Sequence, residues 1–319
     1  MKIKNLLVIL GEHKSIFSEI LSKYFKSYEF KKNKIKFILI GNLRYFKNEL
    51  SKLKYKFYIK KIKNLEEADY KIINFLNIDF KNKLKNKEKL DNNLISKSFD
   101  LSLKILKKNK DTALLNGPIS KTKFLKKKYK GITEYLASKT KSKNEVMLIY
   151  NDKLSVSPIT THVPLKWVNK EISFYKIVSN ILSINKFYIH NLKKKPKIAV
   201  LGLNPHCETI DKYSEEKFII SPAIQNLKKR KIKVDGPFST DTFFIKKNIE
   251  KYDVVVGMYH DQVLTPLKTL FNFNAINLTI GLPFIRVSPD HGPNFSMYGE
   301  NKSDPSSVFC AMRLLNRLK

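Results

Sequence analysis

Three of the chain's six histidines sit in short polar clusters directly after apolar runs: Thr161-His162-Val163-Pro164-Leu165, Asn204-Pro205-His206 and Tyr259-His260-Asp261-Gln262. Neutral imidazole is the commonest protein ligand of divalent metals, so three such placements can hold one ion and leave positions open for substrate. Separations of 44 and 54 residues exclude a local zinc-finger arrangement and require a folded cleft or a subunit interface. Taken singly, a histidine is more often a surface or satisfied core residue, and His13 and His190 are read that way. Asp261 is placed to orient a ligand from behind. The donor types leave zinc, magnesium, manganese and cobalt open, with three imidazoles leaning away from magnesium.

Further candidates follow the third histidine. Lys268 lies eight residues beyond His260, and Asn277 and Arg286 flank the run Thr279-Ile280-Gly281-Leu282-Pro283-Phe284. A cation near a metal grips an anionic substrate or takes part in proton transfer. Lys268 alone reads as one solvated lysine among many, whereas Arg286 stands out because only Arg44, Arg230, Arg286, Arg313 and Arg317 occur. Two segments, Gly117-Pro118-Ile119-Ser120-Lys121 and Gly131-Ile132-Thr133-Glu134, supply backbone amides, hydroxyls and helix starts that suit phosphate. Plain helix capping by Ser120 and Thr133 is the competing reading. No GxGxxG occurs, so the ordinary dinucleotide fingerprint is absent.

Composition narrows the class. A chain of 319 residues with 42% hydrophobic content can bury a core, and its length predicts two domains or one large α/β unit with an inserted lobe. The net charge of +34 invites a nucleic-acid partner, but only five of the 62 basic residues are arginine and lysine is spread throughout. Recognition favours the guanidinium fork and a localised basic face, so codon bias of an AT-rich genome explains the composition better, and runs such as Lys126-Lys127-Lys128 read as solvated surface. No nucleic-acid and no membrane partner is expected, since no apolar stretch approaches the roughly 18 to 20 residues of a membrane span. The first ten residues lack a small-residue cleavage site and read as a buried first strand. Cys207 and Cys310 are too few for a disulfide framework, which points to a reducing cytoplasm.

These residues need a scaffold to meet. Apolar runs at Leu6–Leu10, Phe37–Ile40, Ala113–Leu115, Val146–Tyr150, Ile198–Leu201, Val254–Met258 and Ile276–Ile280 predict strands. Amphipathic segments at Leu90–Leu106, Val168–Ile184 and Phe218–Leu227 predict crossover helices, with Pro222 in a first turn. The alternation implies a largely parallel sheet covered on both faces. Lysine-rich Lys52–Lys89 is read as a surface excursion without assigned form, and Lys193–Lys195 before Pro196 as a loop. Asn116-Gly117-Pro118, His162, Asn204-Pro205-His206 and His260-Asp261 all follow predicted strands, where open α/β sheets bind their ligands.

Taken together, Asn116-Gly117-Pro118-Ile119-Ser120-Lys121, Thr160-Thr161-His162-Val163-Pro164-Leu165, Leu203-Asn204-Pro205-His206, Asp241-Thr242, Met258-Tyr259-His260-Asp261-Gln262, Asn277 to Arg286 and Asp290-His291-Gly292 resemble the 4-hydroxythreonine-4-phosphate dehydrogenase family of pyridoxal phosphate biosynthesis. The resemblance implies an α/β fold like that of the isocitrate and isopropylmalate dehydrogenases: two α/β/α domains with a cleft between them, binding nicotinamide without GxGxxG. Expected bounds are 1–128 with 293–319 for the first domain and 129–292 for the second, which would carry most metal and substrate residues.

The same resemblance implies a homodimer that uses NAD, or NADP, and one divalent metal per site. His162, His206 and His260 would be the metal ligands, shared between subunits. Thr133, Lys268, Asn277 and Arg286 would contact a small phosphorylated amino-acid substrate, with Lys268 the candidate for proton transfer. The implied reaction is oxidation of 4-phosphooxy-L-threonine, then decarboxylation to 3-amino-2-oxopropyl phosphate. Three departures stand against the family pattern: Ile132 replaces a substrate-binding histidine, Gly11-Glu12-His13-Lys14-Ser15 replaces a glycine-rich loop, and glycines are missing after Asn204-Pro205-His206. They motivate two alternatives, a related dehydrogenase with an altered substrate and a non-catalytic basic binding protein on a decayed enzyme fold.

Overall fold

The computed structural model describes residues 2–79, 87–120, 124, 125, 129, 131–208, 213–289 and 292–318. Twelve strands run through these residues: β1 (Asn5–Ile9), β2 (Lys36–Gly41), β3 (Ile59–Ile62), β4 (Ile73–Asn77), β5 (Thr112–Asn116), β6 (Val146–Tyr150), β7 (Ser155–Thr160), β8 (Ile198–Leu201), β9 (Val234–Phe238), β10 (Val254–Tyr259), β11 (Ile276–Ile280) and β12 (Arg286–Pro289). Helices alternate with them, and the protein is a mixed α/β protein. Among the described residues no helix is long and apolar enough to cross a membrane.

The chain divides into two compact units, 1–136 with 283–318 and 137–282. These bounds differ from the expected 128/129 and 292/293. The first changeover falls within the helix Ile132–Thr140, and β12 pairs with β5, so Thr133 and Arg286 belong to the first unit rather than the second.

In the first unit the strands run β3-β4-β2-β1-β5-β12, every pair parallel. The central strands are buried from end to end, as Leu6, Leu7, Val8 and Ile9 show, because helices Phe17–Lys26 and Lys87–Lys108 and their neighbours leave little strand surface to water. The lysine-rich segment after Lys52 contributes β3 and β4; β3 carries Lys60 and Lys61 at intermediate or exposed positions and buries Ile62, while β4 buries Ile73, Phe75 and Leu76.

In the second unit the order is β11-β6-β7-β10-β8-β9. β7, β10, β8 and β9 are parallel, while β6 runs antiparallel to both β11 and β7, so the expectation of a parallel sheet holds for four of these six strands. Ile149, Val156, Ala199, Leu201 and Val255 pack with Val263, Leu264 and Leu267 of helix His260–Phe271, while helix Phe174–Leu192 packs on β6, β7 and β11. The segment expected as one helix from Val168 breaks at Ser173, whose hydroxyl caps the new helix by accepting from the Lys176 N–H at 3.3 Å. Before helix Ser221–Lys229 the chain makes a π-helical turn, Glu216–Ile220, and Pro222, which has no N–H to lose, stands at the changeover.

Candidate active site

The three histidines leave the carboxyl ends of three adjacent strands of the second unit. His162 follows β7, His260 is the first residue of the helix after β10, and His206 lies in the turn after β8. Parallel pairing of β7 with β10 and of β10 with β8 puts all three at one edge. The rings of His162 and His260 have centroids 6.3 Å apart. Two imidazoles on one ion, at metal–nitrogen distances of about 2.0–2.1 Å, bring their centroids to roughly 5–6 Å, so this pair stands close to ligating distance.

His206 does not join them within the chain. Its backbone is left-handed at φ 56°, its side chain is 74% exposed, and its Nδ1 lies 3.6 Å from Oδ2 of Asp241. Among the described residues no group of three histidine, cysteine, aspartate or glutamate side chains is close enough to hold an ion. The rings of His162 and His260 stand near one another, while the His206 side chain is exposed.

The donor chemistry nonetheless fits a divalent metal. Nδ1 of His260 is 2.7 Å from Oδ1 of Asp261, and Nδ1 of His206 is 3.6 Å from Oδ2 of Asp241, so in both residues a carboxylate stands at Nδ1 and Nε2 is the nitrogen left for an ion. Asp241 is held below the ordinary carboxylate range, first by the Ser239 hydroxyl and then by the Thr242 N–H and His206. Cys207, next to His206 in sequence, is a different case: burial and neighbouring Glu216 push its thiol up.

The remaining candidates divide between the units. Lys268 is exposed on helix His260–Phe271, eight residues or about 12 Å of helical rise beyond His260. Asn277 lies on β11, and its Oδ1 is buried with no hydrogen-bond partner among the described residues, as expected of a group awaiting a ligand. In the first unit, Ile132 and Thr133 open the helix Ile132–Thr140, whose dipole favours an anion at that end. Arg286 opens β12 and is 3% exposed, with Nε donating to Oδ1 of Asn116 at 2.7 Å. Burial pulls its pKa down to about 10 against the opposing pull of Glu134, so it remains a buried cation at neutral pH.

The segment read as a phosphate cradle is already engaged. Buried Glu12 accepts from the Ser120 N–H at 3.0 Å, so a carboxylate takes the amide that phosphate would need. Lys121, Thr209 to Asp211 and the pair Asp290-His291, like the run Lys126 to Lys128, lie outside the described residues. His13 and His190 behave as expected: His13 stacks on Tyr45 at 4.9 Å with Nδ1 3.2 Å from Glu49, and His190 is exposed on its helix.

Sequence reasoning gave no role to Glu216 or Gln262, the two side chains that brace the histidine-bearing turns. Glu216 is 4% exposed and accepts from the N–H groups of Leu203 and Asn204 at 2.7 and 2.8 Å, from Asn204 Nδ2 at 3.0 Å and from the Ser214 hydroxyl at 2.9 Å. Burial alone would raise its pKa; the bonds from Asn204 and Ser214 outweigh burial and hold it low. Only its place one apolar repeat before helix Ser221–Lys229 was visible in advance.

Residues 33–315 match the family described as "Pyridoxal phosphate biosynthetic protein PdxA". A 4-hydroxythreonine-4-phosphate dehydrogenase of Sulfurihydrogenibium sp. is 36% identical over 321 residues, covering 98% of each chain. A D-threonate 4-phosphate dehydrogenase of Pectobacterium atrosepticum is 36% identical over 191 residues, 60% of this chain and 59% of that protein. Among solved structures, the 4-hydroxythreonine-4-phosphate dehydrogenase of Klebsiella pneumoniae superposes with a TM-score of 0.85 at 26% identity, covering 99% of this chain and 98% of the other. Isocitrate dehydrogenase from Methylococcus capsulatus, at 11% identity, TM-score 0.52 and coverage of 98% and 85%, shares the fold.

Proposed function

The chain belongs to the PdxA family of pyridoxal phosphate biosynthetic proteins, and from that premise we propose that it oxidises 4-phosphooxy-L-threonine. Loss of carbon dioxide follows, giving 3-amino-2-oxopropyl phosphate in the cytoplasm. The observation that carries this reading is the placement of His162, His206 and His260 at the ends of three adjacent parallel strands in a chain 36% identical, end to end, to a dehydrogenase of that name. When bound, a divalent ion (zinc, magnesium, manganese or cobalt) supplies charge stabilisation at the substrate oxygens, and NAD, or NADP, accepts the hydride.

The chain's own groups do the rest. His162 and His260 hold the ion from one subunit and His206 from the partner in a homodimer. The 74% exposure of the His206 side chain supports that division, as do exposed Leu165 and Trp167 just after His162 and exposed Ile245 just after Asp241. Asp261 and Asp241 keep the His260 and His206 rings oriented with Nε2 outward. Thr133 and the first turn of its helix receive the phosphate, Asn277 Oδ1 accepts a donor of the substrate, and Lys268 binds the anion or moves a proton at Nζ. Arg286 contributes a fixed positive charge held by Asn116.

The assay supplies 4-phosphooxy-L-threonine, either nicotinamide and each metal in turn, and follows nicotinamide reduction. Absence of turnover with all of them would sink the proposal. Sharing between subunits has its own test: mixing inactive His206→Ala and His260→Ala proteins restores activity if one intact site forms across the mixed dimer, and restores none if each chain ligates alone. A second reading keeps the chemistry and changes the substrate to a related phosphorylated hydroxy acid, favoured by Ile132 and by the similarity to a D-threonate 4-phosphate dehydrogenase. Turnover with D-threonate 4-phosphate in place of the amino acid would establish it.

A further inference from the structure

Gln262, third residue of the helix that starts at His260, is 5% exposed and uses both ends of its amide. Oε1 accepts from the Met258 N–H at 2.6 Å; Nε2 donates to the Gly202 carbonyl at 2.7 Å and to the Thr240 hydroxyl at 2.8 Å. A backbone N–H only donates and a carbonyl only accepts, so these partners fix which end of the amide is oxygen.

The partners lie on three neighbouring strand ends. Met258 is two residues before His260 on β10, Gly202 follows β8 four residues before His206, and Thr240 follows β9 beside Asp241, the carboxylate at His206. The chain of bonds extends to the fourth strand, because the Thr160 hydroxyl, two residues before His162, donates to the Met258 carbonyl at 2.7 Å. Glycine makes room for it. A Cβ at Gly257 would stand 2.5 Å from Val263 Cγ1 and 2.8 Å from Gln262 Oε1, and one at Gly202 would stand 2.6 Å from Cys207 Sγ.

We propose that Gln262 is a positioning residue that sets the His206 turn relative to His260 by tying the ends of β8, β9 and β10 together. Glutamine suits the place as its neighbours in size do not. Glutamate keeps an acceptor for Met258 but turns a carboxylate oxygen on the Gly202 carbonyl, and methionine leaves all three partners unanswered in a buried site. The inference rests on the reading of His206 and His260 as metal ligands, while Gln262 itself touches neither metal nor substrate.

Two readouts test it on the full-length protein. Titration with Co2+ is expected to give binding about ten- to a hundredfold weaker in Gln262→Ala and Gln262→Glu than in wild type, the range typical of lost support behind metal ligands. Thr240→Val, which removes one bond, loses less and carries the test if the Gln262 variants fail to fold. In metal-free protein, amide exchange at Leu203 and Asn204, which bond to Glu216 and not to Gln262, is expected to accelerate in the variants. Folded variants that keep wild-type Co2+ affinity and wild-type exchange at Leu203 and Asn204 overturn the inference. A wild type that takes up no Co2+ overturns the metal reading alone, and the exchange data then decide the positioning role.

Discussion

Arg286 at the start of β12 and His206 after β8 are both polar residues next to apolar strands, yet the first is 3% exposed and bonded to Asn116 while the second has a side chain 74% exposed. The same contrast runs through their surroundings. In the unit of residues 1–136 and 283–318, buried Glu12 is bonded to the Ser120 amide and buried Asn116 to buried Arg286. In the unit of residues 137–282, His162 and His206 face water, and His260 is partly open with a carboxylate behind it. A buried charge is tolerable only when answered, so the first set is tied to folding stability; the second set carries little of it and is open to ligands.

The largest effect tests the buried side. Arg286→Ala leaves Asn116 and Glu134 facing an empty, desolvated position, and is expected to lower unfolding free energy by about 3–5 kcal/mol in chemical denaturation. A variant as stable as wild type would break the contrast at its root. On the open side, His260→Ala is expected to cut turnover by roughly 10²- to 10³-fold and abolish tight metal uptake. Its stability should change by no more than about 0.5 kcal/mol; a large drop in melting temperature of the metal-free protein would show that the histidine edge is structural after all.

Glu216 is the intermediate case, a buried carboxylate serving the open edge. Glu216→Gln is expected to lower stability by about 1–3 kcal/mol at neutral pH. The folded pKa lies below the unfolded one, so the contribution is complete above the ordinary carboxyl range and lost as pH falls through the folded value. Melting curves of wild type and variant should therefore draw together as pH falls below the ordinary carboxyl range, and a gap that does not narrow on acidification contradicts the assignment. The smallest effect concerns the substrate pocket: Ile132→His is expected to lower KM for 4-phosphooxy-L-threonine about tenfold, the worth of one hydrogen bond to a charged group. If KM falls for D-threonate 4-phosphate instead, the second substrate reading gains.

Strands β1, β2, β5, β6, β8, β10 and β11 were legible because their apolar residues come in continuous runs or, in β11, alternate with Asn277 and Thr279. The strands that were missed each lack that signature. β3 and β4 sit in a lysine-rich stretch, β9 contains Gly236-Pro237, and β12 begins with the buried arginine itself; β7, which contains Pro158, was foreseen only as the strand that ends before His162. Helix starts at Ser173 and Ser221 shifted the expected helices because a capping hydroxyl and a π-helical turn act over three or four residues, below the resolution of a hydrophobic period.

The sequence by itself determined the chemistry: scarce residue types directly after apolar runs name the histidines, Arg286 and the family, because such placements are local and survive in a linear reading. Tertiary structure alone decided which of them meet. Arg286 finds Asn116 across 170 positions and Gln262 finds Gly202 across 60, through sheet orders that no single segment encodes. It also decided the exposure of His206, whose backbone is left-handed and whose turn is braced by Glu216, since the backbone at one residue sets the course of a side chain whatever its neighbours in sequence.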